Sequence, residues 1–180
     1  MLVVNAKDMD RMIRRLGAEI AESIGGFEKV GVIGIRTGGV FLAEKLIKVI
    51  SKLEKGIKID YGILDITLYR DDISRIGPNP VVKETKIDFS VDNLPIILVD
   101  DVFYTGRTVR CAMDAIMDLG RPKWIKLAVL VDRDERELPI RPDFCGTKLS
   151  VRKGEKVIVK FEGKERGIYV ESAIQKKASS

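Results

Sequence analysis

The sequence predicts an α/β fold, a doubly wound and mostly parallel sheet flanked by helices, and three observations predict it. Short apolar runs alternate with helix-period stretches along roughly the first 131 residues, the pattern that parallel strands and right-handed crossovers produce. One of those runs ends in an acidic, small-residue and hydroxyl-rich loop that opens a helix, at the strand edge where such sheets gather ligands. Finally, 180 residues at 45% hydrophobic and 33% charged supply one core and are too apolar for a disordered chain.

The elements follow in order. Met9, Met12, Ile13, Leu16, Ile20 and Ile24 fall on one face of a helix over 7–24, stopped by Gly25-Gly26. A β-branched strand over 30–35 runs into Arg36-Thr37-Gly38-Gly39, after which Val40, Ala43, Leu46, Ile47, Ile50 and Leu53 resume a helical period. A second strand is expected over 58–68. Residues 69–93 turn polar around Arg70-Asp71-Asp72, Ser74-Arg75 and Gly77-Pro78-Asn79-Pro80, which reads as an exposed arm or hairpin. A strand over 95–99, a loop over 102–108 and a helix carrying Val109, Ala112, Met113, Ile116 and Met117 come next, closed by Gly120 and Pro122. The next strand spans 124–131. A charged, proline-bearing loop reaches Gly146, followed by short strands at 157–161 and 167–170 and a frayed tail at 176–180.

Composition excludes several chemistries. With no histidine, the commonest general base, the commonest metal ligand and every Ser-His or Cys-His pair are absent. Two cysteines, Cys111 and Cys145, make neither a disulfide scaffold nor a four-ligand zinc site and fit a reducing compartment. Without a membrane-length apolar run or a signal-like start, the expectation is a soluble cytoplasmic protein with no membrane partner. The net charge is +5. From Lys148 onward nine Lys or Arg stand against four Glu, so that stretch carries the whole excess. It could face a polyanion, or be the solvated lysine-rich surface of a heat-adapted protein.

The informative stretch is 96–109, Ile-Ile-Leu-Val-Asp-Asp-Val-Phe-Tyr-Thr-Gly-Arg-Thr-Val. Adjacent Asp100 and Asp101 at the end of an apolar strand can accept hydrogen bonds from vicinal ribose hydroxyls. The N–H groups of residues 104–108, the two threonine hydroxyls and the helix dipole form a phosphate cradle that Gly106 lets a ligand approach. Diol plus phosphate means a sugar phosphate. The alternative is that Asp100 caps a turn and Thr105 or Thr108 caps the helix, which leaves Asp101 and Arg107 unexplained. No G-x-x-x-x-G-K-[ST] occurs, nor a convincing G-x-G-x-x-G after a first strand.

Residues 99–108 resemble the phosphoribosyl pyrophosphate (PRPP) motif of type I phosphoribosyltransferases. With Asp65-Ile66-Thr67-Leu68-Tyr69-Arg70-Asp71-Asp72, Leu130-Val131-Asp132-Arg133 and Arg136-Glu137-Leu138-Pro139-Ile140-Arg141, the chain is similar over about 5–170 to the PyrR family, bifunctional pyrimidine-operon regulators and uracil phosphoribosyltransferases. The resemblance implies the type I phosphoribosyltransferase fold as a single domain over 1–180, with a flexible arm at about 70–93 and a base-binding loop and small hood at about 132–170.

It further implies that Asp100 and Asp101 hold the ribose hydroxyls, with Val102, Phe103, Tyr104, Thr105, Gly106, Arg107 and Thr108 completing the PRPP site. Arg36, Thr37, Gly38 and Gly39 would bind pyrophosphate; an ordinary strand-to-helix turn is the alternative. Arg70, counted with Asp100 and Asp101 among the catalytic residues, and Arg75 would reach pyrophosphate from the arm; a merely solvated hairpin is the alternative for both. Val131, Asp132 and Arg133 would hold the base largely through backbone groups, with Asp132 alternatively a structural turn residue.

The implied reaction joins uracil to PRPP, giving UMP and pyrophosphate, with Mg²⁺ carried in by PRPP near Asp100 and Asp101 and no dedicated metal cage. The implied second activity is binding of pyrimidine mRNA leaders, promoted by UMP or UTP and leading to transcription termination (attenuation), through Arg14, Arg15, Arg136, Arg141 and Lys148. A homodimer or higher homo-oligomer is also implied. This chain departs from the pattern in carrying Asp134-Glu135 where many relatives have a histidine, and Thr147 where a lysine is common. Carboxylates there repel phosphate, which leaves two alternatives in play: a PRPP-dependent salvage enzyme without RNA regulation, and an RNA-binding nucleotide sensor with weak catalysis.

Overall fold

Helices and strands alternate much as the periodicities require. In the computed structural model, which describes residues 1–67 and 84–172, the elements are β1 (Leu2–Asn5), α1 (Ala6–Ile24), β2 (Lys29–Ile35), α2 (Gly38–Leu53), β3 (Lys58–Leu64), β4 (Pro95–Phe103), α3 (Arg107–Leu119), β5 (Trp124–Asp132), β6 (Phe144–Lys148), β7 (Glu155–Lys160) and β8 (Gly167–Ser172). Five strands form a parallel sheet in the order β3-β2-β4-β5-β6. The strands β1-β8-β7 form a small antiparallel sheet.

The central strands are apolar on both faces, as a sheet covered on both sides demands. Val30, Val32, Ile97, Val99, Ala128 and Leu130 face one core with Leu16 and Ile20 of α1 and Leu42 and Leu46 of α2. Their neighbours Ile33, Ile35, Ile96, Leu98, Leu127 and Val129 face a second core with Val109, Ala112 and Ile116 of α3. Asn5 starts α1 by accepting the Asp8 N–H (3.0 Å) and donating its amide to the Asp8 carboxylate (2.8 Å), a reciprocal cap.

The chain leaves β2 towards β3 on one side and returns to lay β4 on the other. The carboxyl ends of β2 and β4 are therefore a topological switch point, the place where such sheets open a crevice. Phe161, at the end of β7, stacks on Phe41 in the first turn of α2 (centroids 6.0 Å), bringing the small sheet over that crevice.

Several expectations need correction. Strand β1 was not anticipated, being too short for a period; it exists by pairing with β8. Strand β3 stops at Leu64, because the Asp65 carboxylate accepts both the Thr67 N–H (2.9 Å) and hydroxyl (2.6 Å) and turns the chain. Strand β4 runs four residues beyond Val99, since β5 pairs with it as far as Phe103. The loop expected to Gly146 contains the start of the edge strand β6, which takes its ladder from β5.

The arm is not exposed throughout 69–93. Lys86 bridges back to Ile63, and Val91 is buried in the second core with Ile87 and Phe89 packed against it. In α3 the buried stripe takes Cys111 and Ala115 and leaves Met117 exposed; in α2 it takes Leu42 and leaves Leu53 exposed. Arg70, Arg75 and the tail at 176–180 lie outside the described residues.

Leu46 is fully buried between the helices and the sheet. Leu46→Ala is expected to cost about 2–5 kcal/mol, the usual range for a buried leucine truncation, read as a lower denaturant midpoint with an unchanged m-value.

Candidate active site

Strand alternation sends neighbouring side chains to opposite faces, so at the end of β4 Asp100 and Asp101 diverge. Asp100 lines a cavity of about 280 Å³ with Val102, the 103–108 loop, Val109 and Cys111. Asp101 lines one of about 390 Å³ with Thr37, Gly38 and Phe41 at the head of α2 and Val159, Phe161 and Glu162 of the small sheet. The crevice thus brings the 36–39 loop, the aspartate pair and the 104–108 loop together. A side chain at Gly38 would collide with the Asp101 carboxylate, so glycine is needed for the two loops to meet.

Burial holds the Asp100 carboxyl well above the ordinary carboxylate range, with the neighbouring Asp101 charge acting in the same direction. Burial also raises Asp101, against backbone hydrogen bonds that pull it down. The Asp101 N–H donates to Asp100 Oδ1 (3.0 Å).

Gly106 adopts φ 90° and serves as the N-cap of α3 without a capping side chain, so the first turn opens toward the cavity. Thr105 Oγ1 does accept the Arg107 N–H (3.3 Å), a share of the capping role weighed from sequence. At the other loop, Arg36 Nε–H and Nη2–H donate to the Glu84 carbonyl (3.2 and 3.0 Å), tying it to the returning limb of the arm. Thr37 caps α2 without a side-chain bond.

Val131, Asp132 and Arg133 are all buried. Asp132 Oδ1 accepts the Asp134 N–H (2.8 Å), which is the structural turn role. Sequence reasoning missed how the 133–137 segment is fastened to the 103–107 segment. The Arg133 N–H donates to the Phe103 carbonyl and the Glu137 N–H to that of Thr105 (both 2.9 Å). The Glu137 carboxylate pairs with Arg107 (2.8 Å), and the Arg133 guanidinium lies 3.9 Å from the Tyr104 ring centroid. Nothing in the spacing of Glu137 signals that pairing. The wall made by Val159, Phe161 and Glu162 was likewise unforeseen.

Of the cations read from sequence as an RNA face, Arg136, Arg141 and Lys148 converge on a cavity of about 180 Å³ shared with Phe103, Asp132, Asp134, Pro142 and Cys145. Arg15 lies beside β6, donating to the Gly146 carbonyl (2.5 Å) and pairing with Glu19 (2.5 Å); Arg14 is exposed on α1. Burial and the Asp132 charge push the Cys145 thiol up, which makes it a poor nucleophile. No described helix is long and apolar enough to cross a membrane.

The phosphoribosyl transferase domain family matches residues 3–163. The chain is 48% identical over 160 residues to a bifunctional protein PyrR of Deinococcus radiodurans, covering 89% of this chain and 87% of that one. A bifunctional protein PyrR of Pelotomaculum thermopropionicum is 47% identical over 174 residues, covering 95% and 96%. The chain belongs to the PyrR family. Its fold is that of a Trypanosoma cruzi hypoxanthine phosphoribosyl transferase structure, superposing with a TM-score of 0.72 at 15% identity over 94% of this chain and 90% of that one. Within the PyrR frame, the paired aspartates and the two loops stand at the crevice of a phosphoribosyltransferase fold.

The aspartate pair fixes a sign for pH dependence. A carboxyl whose folded pKa is raised binds its proton more tightly when folded, so its stabilising contribution is complete below about pH 4 and is lost as pH rises through the raised value. Ligand-free Asp100→Asn is therefore expected to melt about 2 °C or more above the parent at neutral pH. Its thermal midpoint should also change less between pH 5 and 8. A lower midpoint at neutral pH would contradict the burial argument.

Proposed function

We propose that this protein is a uracil phosphoribosyltransferase that also binds pyrimidine-operon mRNA leaders in a uridine-nucleotide-dependent way to promote attenuation. The observation that carries the transferase reading is the approach of Gly38 to the Asp101 carboxylate, which sets a pyrophosphate loop and a ribose-phosphate loop on one substrate. The naming of its close relatives as bifunctional PyrR proteins supports the pairing of activities.

In this reading the 5′-phosphate sits on the amides of Tyr104, Thr105, Gly106, Arg107 and Thr108 at the head of α3, where partial positive charge collects. Asp100 and Asp101 accept hydrogen bonds from the ribose hydroxyls, and the burial that raises their pKa makes those bonds strong once formed. Residues 36–39 at the head of α2 hold the pyrophosphate, with Arg36 anchored on the Glu84 carbonyl and Arg70 assigned to the same group. The main chain of Val131, Asp132 and Arg133 presents the base to the anomeric carbon, where cationic character develops as pyrophosphate departs. The protein contributes orientation, leaving-group stabilisation and exclusion of water, and needs no histidine.

Magnesium fits as a companion of PRPP. The hard carboxylate oxygens of Asp101 lie beside Gly38 at the crevice, with Asp100 at the adjoining cavity, the kind of incomplete donor set that Mg²⁺ with its own waters accepts. When bound, the ion would neutralise charge on the departing pyrophosphate.

The 1–180 chain acts as one catalytic unit in the cytoplasm, assembled as a dimer or higher oligomer. Arg136, Arg141 and Lys148, gathered at one cavity, with Arg14 and Arg15, supply the cations for RNA phosphates.

With PRPP and Mg²⁺, uracil is expected to yield UMP and hypoxanthine to yield little. Asp101→Asn should lower turnover more than about tenfold with an unchanged fold. Equal use of hypoxanthine would defeat uracil specificity. For the regulatory half, a pyrimidine-operon leader should bind more tightly with UMP present. Lys148→Ala should weaken that binding and reduce its log–log salt slope by about one. A leader held no better than a scrambled RNA would rule regulation out.

A further inference from the structure

Resting on the phosphoribosyl-transfer reading, we propose that the Arg133 side chain is a positioning residue for the 5′-phosphate loop, holding Tyr104 and the residues after it in the shape that receives PRPP. The sequence placed Arg133 with the base. That role runs largely through main-chain groups, and the Arg133 side chain lies against Tyr104 of the phosphate loop.

Arg133 grips two consecutive residues of that loop by different means. Its main-chain N–H donates to the Phe103 carbonyl (2.9 Å), and its guanidinium carbon lies 3.9 Å from the Tyr104 ring centroid. Tyr104 lines the cavity assigned to the phosphoribose, whereas Arg133 is not among the lining residues. Tyr104 is 44% exposed and Arg133 only 7%, so the arginine is the fixed base and the tyrosine the surface it supports.

That placement is costly, which argues against a mere space-filler. A buried cation pays heavily for lost hydration. Glu135 accepts one bond from Nη2 (2.8 Å), yet Nε is buried without a hydrogen-bond partner. An apolar side chain of similar length would fill the space without those penalties. What it would lack is the planar cation over an aromatic face, a contact that is strongest when desolvated. Lysine would keep the charge and the main-chain bond but not the flat stack, so Arg133→Lys isolates the side-chain role from the backbone one.

The test is steady-state kinetics on Arg133→Lys, Tyr104→Leu and the double variant, with each substrate varied separately and thermal midpoints recorded. In each single variant KM for PRPP should rise about tenfold while KM for uracil stays within about twofold. The double variant should be no worse than the more damaged single, because both remove one interaction. The proposal is overturned if Arg133→Lys leaves KM for PRPP unchanged, if KM for uracil rises equally, or if the two effects multiply. Should Arg133→Lys fail to fold, Arg133→Met, which keeps the side chain's length and the main-chain bond without the planar cation, carries the same PRPP-against-uracil split. Wild-type protein inert toward uracil would count against the reaction assigned above, and calorimetric titration of PRPP into wild type and Arg133→Lys would then decide the positioning role on affinity alone.

Discussion

The burial of a carboxyl pair at the end of an otherwise apolar strand is the constraint around which this molecule is arranged. Strand β4 carries Ile96, Ile97, Leu98 and Val99 through the middle of the sheet with no exposure, and then delivers Asp100 almost as deeply. An acidic group so placed is unfavourable in its charged form and raises its pKa in response. The sheet holds it there because β5 pairs with β4 past the aspartates as far as Phe103, while β2 stops pairing at Val99 and leaves their side chains at the crevice. A buried carboxyl at such an opening is characteristic of sites built to meet a ligand.

The same constraint explains why the loops on either side are so closely fitted. Asp101 requires glycine at 38, and the head of α2 is thereby drawn against β4. The stack of Phe41 on Phe161 then seats the small sheet over the crevice. The small sheet, the 36–39 loop and the aspartates are parts of one packing arrangement, so a change of volume in any one of them is transmitted to the others.

A second fastening joins the loop after β4 to the segment that follows β5. Two main-chain hydrogen bonds, the Arg107–Glu137 pair and the Arg133–Tyr104 stack all link 103–107 to 133–137. The pair at Arg107 and Glu137 is half exposed and contributes little by itself; the stack and the backbone bonds carry most of the fastening. Because Arg136 lies within the fastened segment and shares a cavity with Arg141 and Lys148, those cations are tied to the 103–107 loop.

Much of this was legible in the sequence, and for identifiable reasons. Periods of 3.6 and of 2, the glycines at 38 and 106 and the adjacent aspartates are local, and they determined the helices, the central strands, the fold class and the residues at the crevice. What depends on a partner strand or a distant side chain was not legible. The extension of β4 to Phe103 and the existence of β1 and β6 come from ladders with neighbours, and the burial of Val91 from packing under the sheet edge. Tertiary structure alone decided that Asp100 and Asp101 face different cavities and that Arg133 lies beneath Tyr104, since pleat direction and long-range stacking have no signature in the spacing of residues along the chain.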